Sequence, residues 1–150
     1  MFKVRLSTKG QYGLRAMFEL AVNYGQGPLS LKVVAGRQLI SEHYLEQLIA
    51  TMRKAGLVKS TRGAQGGYTL SRPPAEITVG QVIRVLEGPL APVECVIDDN
   101  EQVCDRSGYC PTRIIWKKIG DSINQVVDSI TLKDMVDDFM KMHPDRTSIS

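Results

Sequence analysis

Long apolar runs are missing from this 150-residue chain, which is about the size of one ordinary domain. No stretch of about 18 consecutive apolar residues exists, so we predict no transmembrane helix and no membrane partner. The first ten residues also lack the apolar segment that directs secretion, which favours a cytoplasmic protein.

Groups that commonly carry catalysis are scarce as well. The chain has only two histidines, and it contains no motif of paired carboxylates. Its glycine-rich segment at residues 63–67 is too short for a phosphate-binding loop and lacks the lysine of one. We therefore expect a protein that binds a partner and is not an enzyme.

Acidic residues are rare in the first half of the chain. Residues 1–75 contain 11 lysines and arginines against 3 aspartates and glutamates, a net charge of +8. Residues 76–150 contain 8 against 13, a net charge of −5. A basic half joined to an acidic half indicates a polyanionic partner for the first half alone, although a merely solvated basic face gives the same counts.

Hydrophobic periodicity in residues 1–75 predicts three helices and a hairpin. The helices are expected at residues 8 to about 23, 31–37 and 42–54, behind the capping side chains Ser7 or Thr8, Ser30 and Ser41. Two β-capable runs at 57–61 and 68–70 flank a glycine-rich tip. This order is typical of a winged helix-turn-helix. The predicted fold class is therefore mainly α with a small β-hairpin wing.

Residues 76–142 are predicted to form further helices around a loop at 89–110. Thr78 and Gln81 fit a capping box, and Pro111 suits the first turn of a long helix that reaches about residue 129. Apolar residues recur along this segment at spacings of 3, 4, 3 and 4: Trp116, Ile119, Ile123, Val126 and Ile130. Such a seam favours a long dimerisation helix, with a core helix of a single chain as the alternative. Residues 143–150 are expected to be a disordered tail.

The helix predicted at residues 42–54 meets the physical requirements of a major-groove reader, an apolar back and a polar front. Its outer side chains are the candidate DNA contacts His43, Tyr44, Glu46, Gln47 and Lys54. A solvated helix surface is the alternative for each of them. Arg62 at the hairpin tip is a candidate phosphate or minor-groove contact. Candidate phosphate contacts elsewhere are Lys9, Arg15, Arg53 and Lys59.

All three cysteines lie in the predicted loop, at Cys95, Cys104 and Cys110. An odd number of cysteines argues against a disulfide framework. Three thiolates are soft ligands that suit an iron–sulfur cluster or zinc. Zinc is disfavoured because neither histidine is near the loop in sequence. Thiol chemistry without a metal and inert structural cysteines remain alternatives.

Several motifs in this sequence resemble the IscR/NsrR/CymR family of transcription regulators. They are VRLSTKGQYGLRAM at 4–17, ISEHYLEQL at 40–48, RKAGLV at 53–58, RGAQGGY at 62–68, ITVG at 77–80 and LEG at 86–88. The resemblance covers about residues 3–140. It implies a winged helix-turn-helix at 1–75 that binds palindromic double-stranded DNA as a homodimer, and it points to Tyr44 and Glu46 as DNA contacts.

The resemblance also implies a cofactor. IscR-like members hold a [2Fe–2S] cluster on three loop cysteines, which correspond to Cys95, Cys104 and Cys110 here. The fourth ligand stays open, because the histidine of IscR is replaced by Arg113 and the partner-subunit carboxylate of some relatives corresponds to about Gln11. Candidates are Glu94, Asp98, Asp99, Glu101, Asp105 or an exogenous group. CymR-like members bind an enzyme of cysteine synthesis and no cluster, so a cluster-free regulator that senses by thiol chemistry or a protein partner is the alternative.

Two departures from the family pattern concern the predicted DNA-binding unit. Leu39 stands where the family often has glycine, and Gly36 stands earlier, where a charged residue is usual. A left-handed conformation at Leu39 would therefore carry strain. Position 43 is histidine, so no base preference carries over to it.

Overall fold

Six α-helices and one antiparallel hairpin form the described part of the chain, residues 6–92 and 111–144, in a computed structural model. The elements are α1 (Thr8–Val22), α2 (Leu31–Gln38), α3 (Glu42–Lys54), β1 (Val58–Thr61), β2 (Gly67–Leu70), a 3-10 turn (Pro74–Glu76), α4 (Val79–Glu87), α5 (Pro111–Ser129) and α6 (Leu132–Met142). The predicted fold class, mainly helical with a hairpin wing, is confirmed. Within the described residues, no helix is long and apolar enough to cross a membrane.

Side-chain caps fix where the helices begin. The hydroxyl oxygens of Ser7, Ser30 and Ser41 accept hydrogen bonds from backbone N–H groups at the starts of α1, α2 and α3. Thr78 and Gln81 form both hydrogen bonds of the predicted capping box at α4. These bonds satisfy donors that have no partner inside the helix, so local sequence determines each boundary.

The hairpin is held against the segment before α2. Its register runs from Val58 opposite Leu70 to Thr61 opposite Gly67. Leu29 and Tyr68 then exchange two backbone hydrogen bonds, of 3.0 and 2.9 Å. A Cβ atom at Gly67 would lie 2.5 Å from the carbonyl oxygen of Leu29, so only glycine permits this approach. The wing is therefore fastened to the body of the domain.

One hydrophobic core holds α3 in place from both parts of the chain. Leu45, Ile49 and Met52 of α3 are at most 1% exposed, and they share a cluster with the fully buried Val82 of α4 and Leu132 of α6. The division into residues 1–75 and 76–142 stays a prediction. In the structure the two parts meet in this common core.

Glu19 is the one buried charged side chain among the described residues. Its carboxylate lies 3.2 Å from Nη1 of Arg37 and accepts a 2.6 Å hydrogen bond from Nε2 of Gln38. Both partners belong to the last turn of α2, so Glu19 fastens the end of that helix to α1. A buried carboxylate needs such partners, because leaving it unpaired would be strongly unfavourable.

The turn between α2 and α3 adopts the left-handed conformation for which the sequence analysis gave a cost in strain. Leu39 has φ 55° and ψ 44°, in the left-handed region, and its side chain is 92% exposed. An L-residue with a Cβ pays about 1–2 kcal/mol for this conformation. The exposed leucine side chain contributes little burial to offset that cost.

Leu39→Asn is expected to stabilise the protein by about 1 kcal/mol, because asparagine adopts the left-handed region more readily. Thermal unfolding at a fixed protein concentration should show a rise in Tm of roughly 2–4 °C. The control is Leu39→Ala, which removes the same exposed side chain and keeps the strain. Equal Tm values for the two variants would contradict this explanation.

Candidate nucleic-acid interface

Helix α3 has the predicted apolar back and polar front. Leu45, Leu48, Ile49 and Met52 are buried, whereas His43, Glu46, Gln47 and Lys54 are exposed. Nε2 of Gln47 lies 3.3 Å from Nε2 of His43, one helical turn away. The exposed face therefore presents side chains that can donate and accept hydrogen bonds at base edges.

Tyr44 occupies a different position from the other predicted contacts. Its hydroxyl lies 3.1 Å from the hydroxyl of Thr8, and its ring meets that of Tyr12 edge to face with centroids 6.1 Å apart. The side chain is half-buried. Tyr44 thus joins the beginning of α3 to the beginning of α1.

Exposed cations surround α3 on neighbouring elements. Lys9 lies in the first turn of α1, and Lys59 lies on β1. The Arg15 guanidinium lies 5.3 Å from the centroid of the Tyr12 ring. Lys32, exposed in the first turn of α2, was missed by the sequence analysis. The first helix of a helix-turn-helix crosses the DNA backbone, so the position of Lys32 one residue inside α2 was the available signal.

The wing tip is built on glycine. Gly63 has φ +113°, and its carbonyl accepts a 3.0 Å hydrogen bond from the N–H of Gly66. A Cβ atom at Gly66 would lie 2.2 Å from the carbonyl oxygen of Thr61. This tight turn leaves Arg62 exposed beside the tip, where a cation can reach a phosphate or a narrow minor groove.

A carboxylate that the sequence analysis did not single out caps the N-terminus of α1. Oε1 of Glu87, the last residue of α4, accepts hydrogen bonds from the backbone N–H groups of Ser7 (3.2 Å) and Gly10 (2.9 Å), and from the Ser7 hydroxyl. Glu87 is about eighty residues from this turn, so no local pattern reveals the pairing.

Helices α4 and α5 are joined by a polar network. Arg84 donates two hydrogen bonds to the Asp128 carboxylate, of 2.8 and 2.7 Å, and two more to Oδ1 of Asn124. These contacts with Arg84 lower the pKa of Asp128. Nδ2 of Asn124 donates to the carbonyl of Leu90 at 3.1 Å. The network therefore holds the segment that follows α4 against α5.

The predicted cluster ligands Cys95, Cys104 and Cys110 lie outside the described residues, together with Glu94, Asp98, Asp99, Glu101 and Asp105. Two positions that the family resemblance links to a fourth ligand are described. Arg113 lies half-buried in the first turn of α5, and Gln11 donates from its amide to the Leu6 carbonyl at 3.2 Å. In residues 6–92 and 111–144, no three His, Cys, Asp or Glu side chains form a group that could hold a metal ion.

Helix α5 carries an apolar face that the described chain leaves open. Ile114, Ile115, Ile119 and Val126 of α5, and Ile130 directly after it, are between 36% and 59% exposed. Ile123, in the predicted seam, instead packs on the cluster of Val79, Ile83 and Leu90. One side of α5 therefore contacts its own chain, and the other side presents isoleucine and valine to the surroundings.

The buried back of α3, its polar front and the fastened wing define a winged helix-turn-helix protein. Residues 6–138 match the model of a family described as "Rrf2: Iron-dependent Transcriptional regulator". The chain belongs to this Rrf2 family of transcriptional regulators, which bind DNA. The resemblance to the IscR/NsrR/CymR family is thereby confirmed.

Individual relatives and solved structures agree with this assignment. CymR of Bacillus subtilis is 51% identical over 132 residues, covering 88% of this chain and 89% of that protein. The solved structure of that protein, the global cysteine regulator of B. subtilis, covers 89% of this chain and 96% of its own, with a TM-score of 0.74 and 50% identity. The structure of T. potens IscR covers 98% of this chain and 94% of its own, with a TM-score of 0.75 and 48% identity. IscR of Aliivibrio salmonicida is 37% identical over 147 residues, which cover 97% of this chain and 86% of that protein.

Asp128→Asn should destabilise the protein at pH 7 by less than about 1 kcal/mol, since the ion pair with Arg84 is partly exposed. The pKa of Asp128 is lowered in the folded state, so its contribution is fully present above the unfolded pKa of about 3.9 and is lost as the pH falls through the lower folded value. Urea unfolding at several pH values should show that the difference in the free energy of unfolding between wild type and Asp128→Asn becomes smaller in acid. Asp138→Asn, an equal charge change at an exposed position, is the control. A deficit independent of pH would contradict this account.

Glu46→Ala is expected to reduce discrimination at one base pair by roughly 1–3 kcal/mol if the carboxylate reads a cytosine amino group. Arg62→Ala should instead weaken binding to all duplexes. It should also reduce by about 1 the slope of the logarithm of the binding constant against the logarithm of salt concentration. Competition titrations with single-base variants of a selected duplex separate the two effects. Unchanged discrimination by the Glu46 variant would remove Glu46 from the reading face.

Proposed function

We propose that this chain is a homodimeric transcription regulator that reads palindromic DNA with α3 and senses iron–sulfur status through a [2Fe–2S] cluster on its cysteines. The observation that carries the DNA-binding part is α3 itself. A helix with four buried apolar residues behind it is held rigidly, so its exposed front keeps one orientation. An α-helix fits the major groove, which is about 12 Å wide.

The exposed side chains of α3 match the chemistry of base edges. Glu46 can accept from a cytosine amino group, Gln47 can pair with adenine, and His43 can donate to a base or phosphate. Lys9, Lys54 and Lys59 supply charge for the phosphates, and Arg62 supplies it for the flanking minor groove. The net negative charge of residues 76–150 repels DNA, which favours binding at the basic face.

The open apolar face of α5 supports a homodimer. Exposed apolar side chains in a row on a 19-residue helix favour association. A second copy presents the same face, and a two-fold axis relates the two α3 helices. Two identical readers related in this way require a palindromic operator with half-sites about one helical turn apart, or a multiple of that distance.

A donor set of three thiols supports the cluster. Cys95, Cys104 and Cys110 would hold it, with Glu94, Asp98, Asp99, Glu101, Asp105 or an exogenous group as the fourth ligand. The three thiols suit iron, whereas the guanidinium of Arg113 and the amide of Gln11 do not. The donor set therefore fits a [2Fe–2S] cluster at three of its four ligand positions. Two comparisons favour this cofactor. The family is described as iron-dependent, and the chain is 48% identical to T. potens IscR. When bound, the cluster supplies one-electron redox chemistry and a group that can be lost.

A cluster-free regulator is the second candidate, and the 51% identity to CymR of B. subtilis favours it. In that case the signal reaches the protein through thiol chemistry or through a protein partner. Cys110 is then the favoured reactive thiol, because it directly precedes α5 and a helix N-terminus stabilises a thiolate.

The cluster is tested by the visible absorption spectrum and the iron and sulfide content of protein purified without oxygen. Charge-transfer bands with about two iron and two sulfide per chain are expected for a [2Fe–2S] cluster. Serine at all three cysteines should abolish the colour, whereas retained colour would place the site elsewhere. A colourless, iron-free protein that stays so after reconstitution would contradict the cluster and leave the cluster-free regulator.

A further inference from the structure

The contact of Glu87 with α1 supplies what the first turn of a helix lacks. The first backbone N–H groups have no partner within the helix, and the helix dipole favours negative charge there. Oε1 of Glu87 accepts from the N–H groups of Ser7 and Gly10, one on each side of the helix start. The beginning of α1 is therefore held by the end of α4.

Two glycines make this contact close. A Cβ atom at Gly10 would lie 3.0 Å from Cγ of Glu87, and one at Gly13 would lie 2.0 Å from Cδ1 of Leu86. The last two residues of α4 thus lie directly against the backbone of α1. A displacement of the end of α4 must displace the first turns of α1 as well.

The same turn of α1 contacts the DNA-reading helix. Thr8 lies between the two amide groups that Glu87 holds, and its hydroxyl is 3.1 Å from the hydroxyl of Tyr44 on α3. The exposed Lys9 follows directly. The turn that Glu87 caps therefore carries one candidate DNA contact, Lys9, and touches another, Tyr44.

The residues that follow Glu87 are also fixed in place. Gly88 follows with φ +85°, and Leu90 is buried with its carbonyl bonded to Asn124. The chain is therefore held on both sides of the end of α4, by α1 at Glu87 and by α5 at Leu90.

We infer that Glu87 is a positioning residue for DNA binding, which sets the first turn of α1 and, through Thr8, the placement of Tyr44. This inference rests on the proposed function of α3 as the DNA reader. It assigns Glu87 no contact with DNA or with a cluster.

The test measures DNA affinity for a duplex that wild-type protein has selected from a random library. Glu87→Ala should weaken binding about 10-fold, within the usual range of coupling between sites. Glu87→Gln keeps an acceptor oxygen and should fall between the alanine variant and wild type. Glu76→Ala, which removes an exposed carboxylate from the 3-10 turn, should bind within about twofold of wild type. Circular dichroism at the assay temperature checks that each variant is folded, and Glu87→Gln carries the test if Glu87→Ala does not fold.

A double-mutant cycle with Thr8→Val separates positioning from general stability. If Glu87 acts through Thr8, the double variant Glu87→Ala/Thr8→Val should bind no more weakly than Glu87→Ala alone. Fully multiplicative losses would overturn the inference, and so would unchanged binding by folded Glu87→Ala protein. Failure of wild-type protein to select any duplex would instead overturn the proposed DNA-reading function.

Discussion

The close contact between α1 and the end of α4 is the constraint on which the rest of the structure depends. Gly10 and Gly13 allow it, since a side chain at either position would meet Glu87 or Leu86. It brings the beginning of the DNA-binding unit against the residue that precedes the cysteine segment. The two parts of the chain also meet in the shared hydrophobic core.

The orientation of α3 follows from contacts on three sides. Its buried side chains lie in a core shared with α4 and α6, its first turn contacts Thr8 through Tyr44, and the turn before it is fastened by the Glu19 network on α2. A rigid helix loses little entropy on binding, which favours specific recognition. The strained Leu39 lies in the one connection that leads directly into this helix.

Much of the fold was predictable because its signals are local. Serine and threonine caps, apolar residues at helical spacing and glycines at turns gave α3 its correct bounds at 42–54 and predicted the capping box of Thr78 and Gln81. The sequence also marked Leu39 as a position where a left-handed conformation would be strained, since leucine stands where the family often has glycine, and the structure shows that conformation. These features depend on neighbours within about four residues.

The parts that could not be predicted join residues far apart in sequence. Glu19 meets Arg37 and Gln38 across two helices, and Glu87 meets the start of α1 from the other half of the chain. A glutamate next to a helix end gives no sign of which distant amide groups it will cap. The cysteines are a different case, because their spacing suits several cofactor chemistries and the relatives include both CymR and IscR.

The central claim is that the state of the cysteine segment changes how tightly α3 holds DNA. The most direct test is a titration of one selected duplex with the same protein preparation in two states, with its cluster or its thiols intact and after their removal or oxidation. The account predicts that the two dissociation constants differ by at least about fivefold, the lower end of usual coupling between sites. Equal constants for protein that is folded in both states would contradict it.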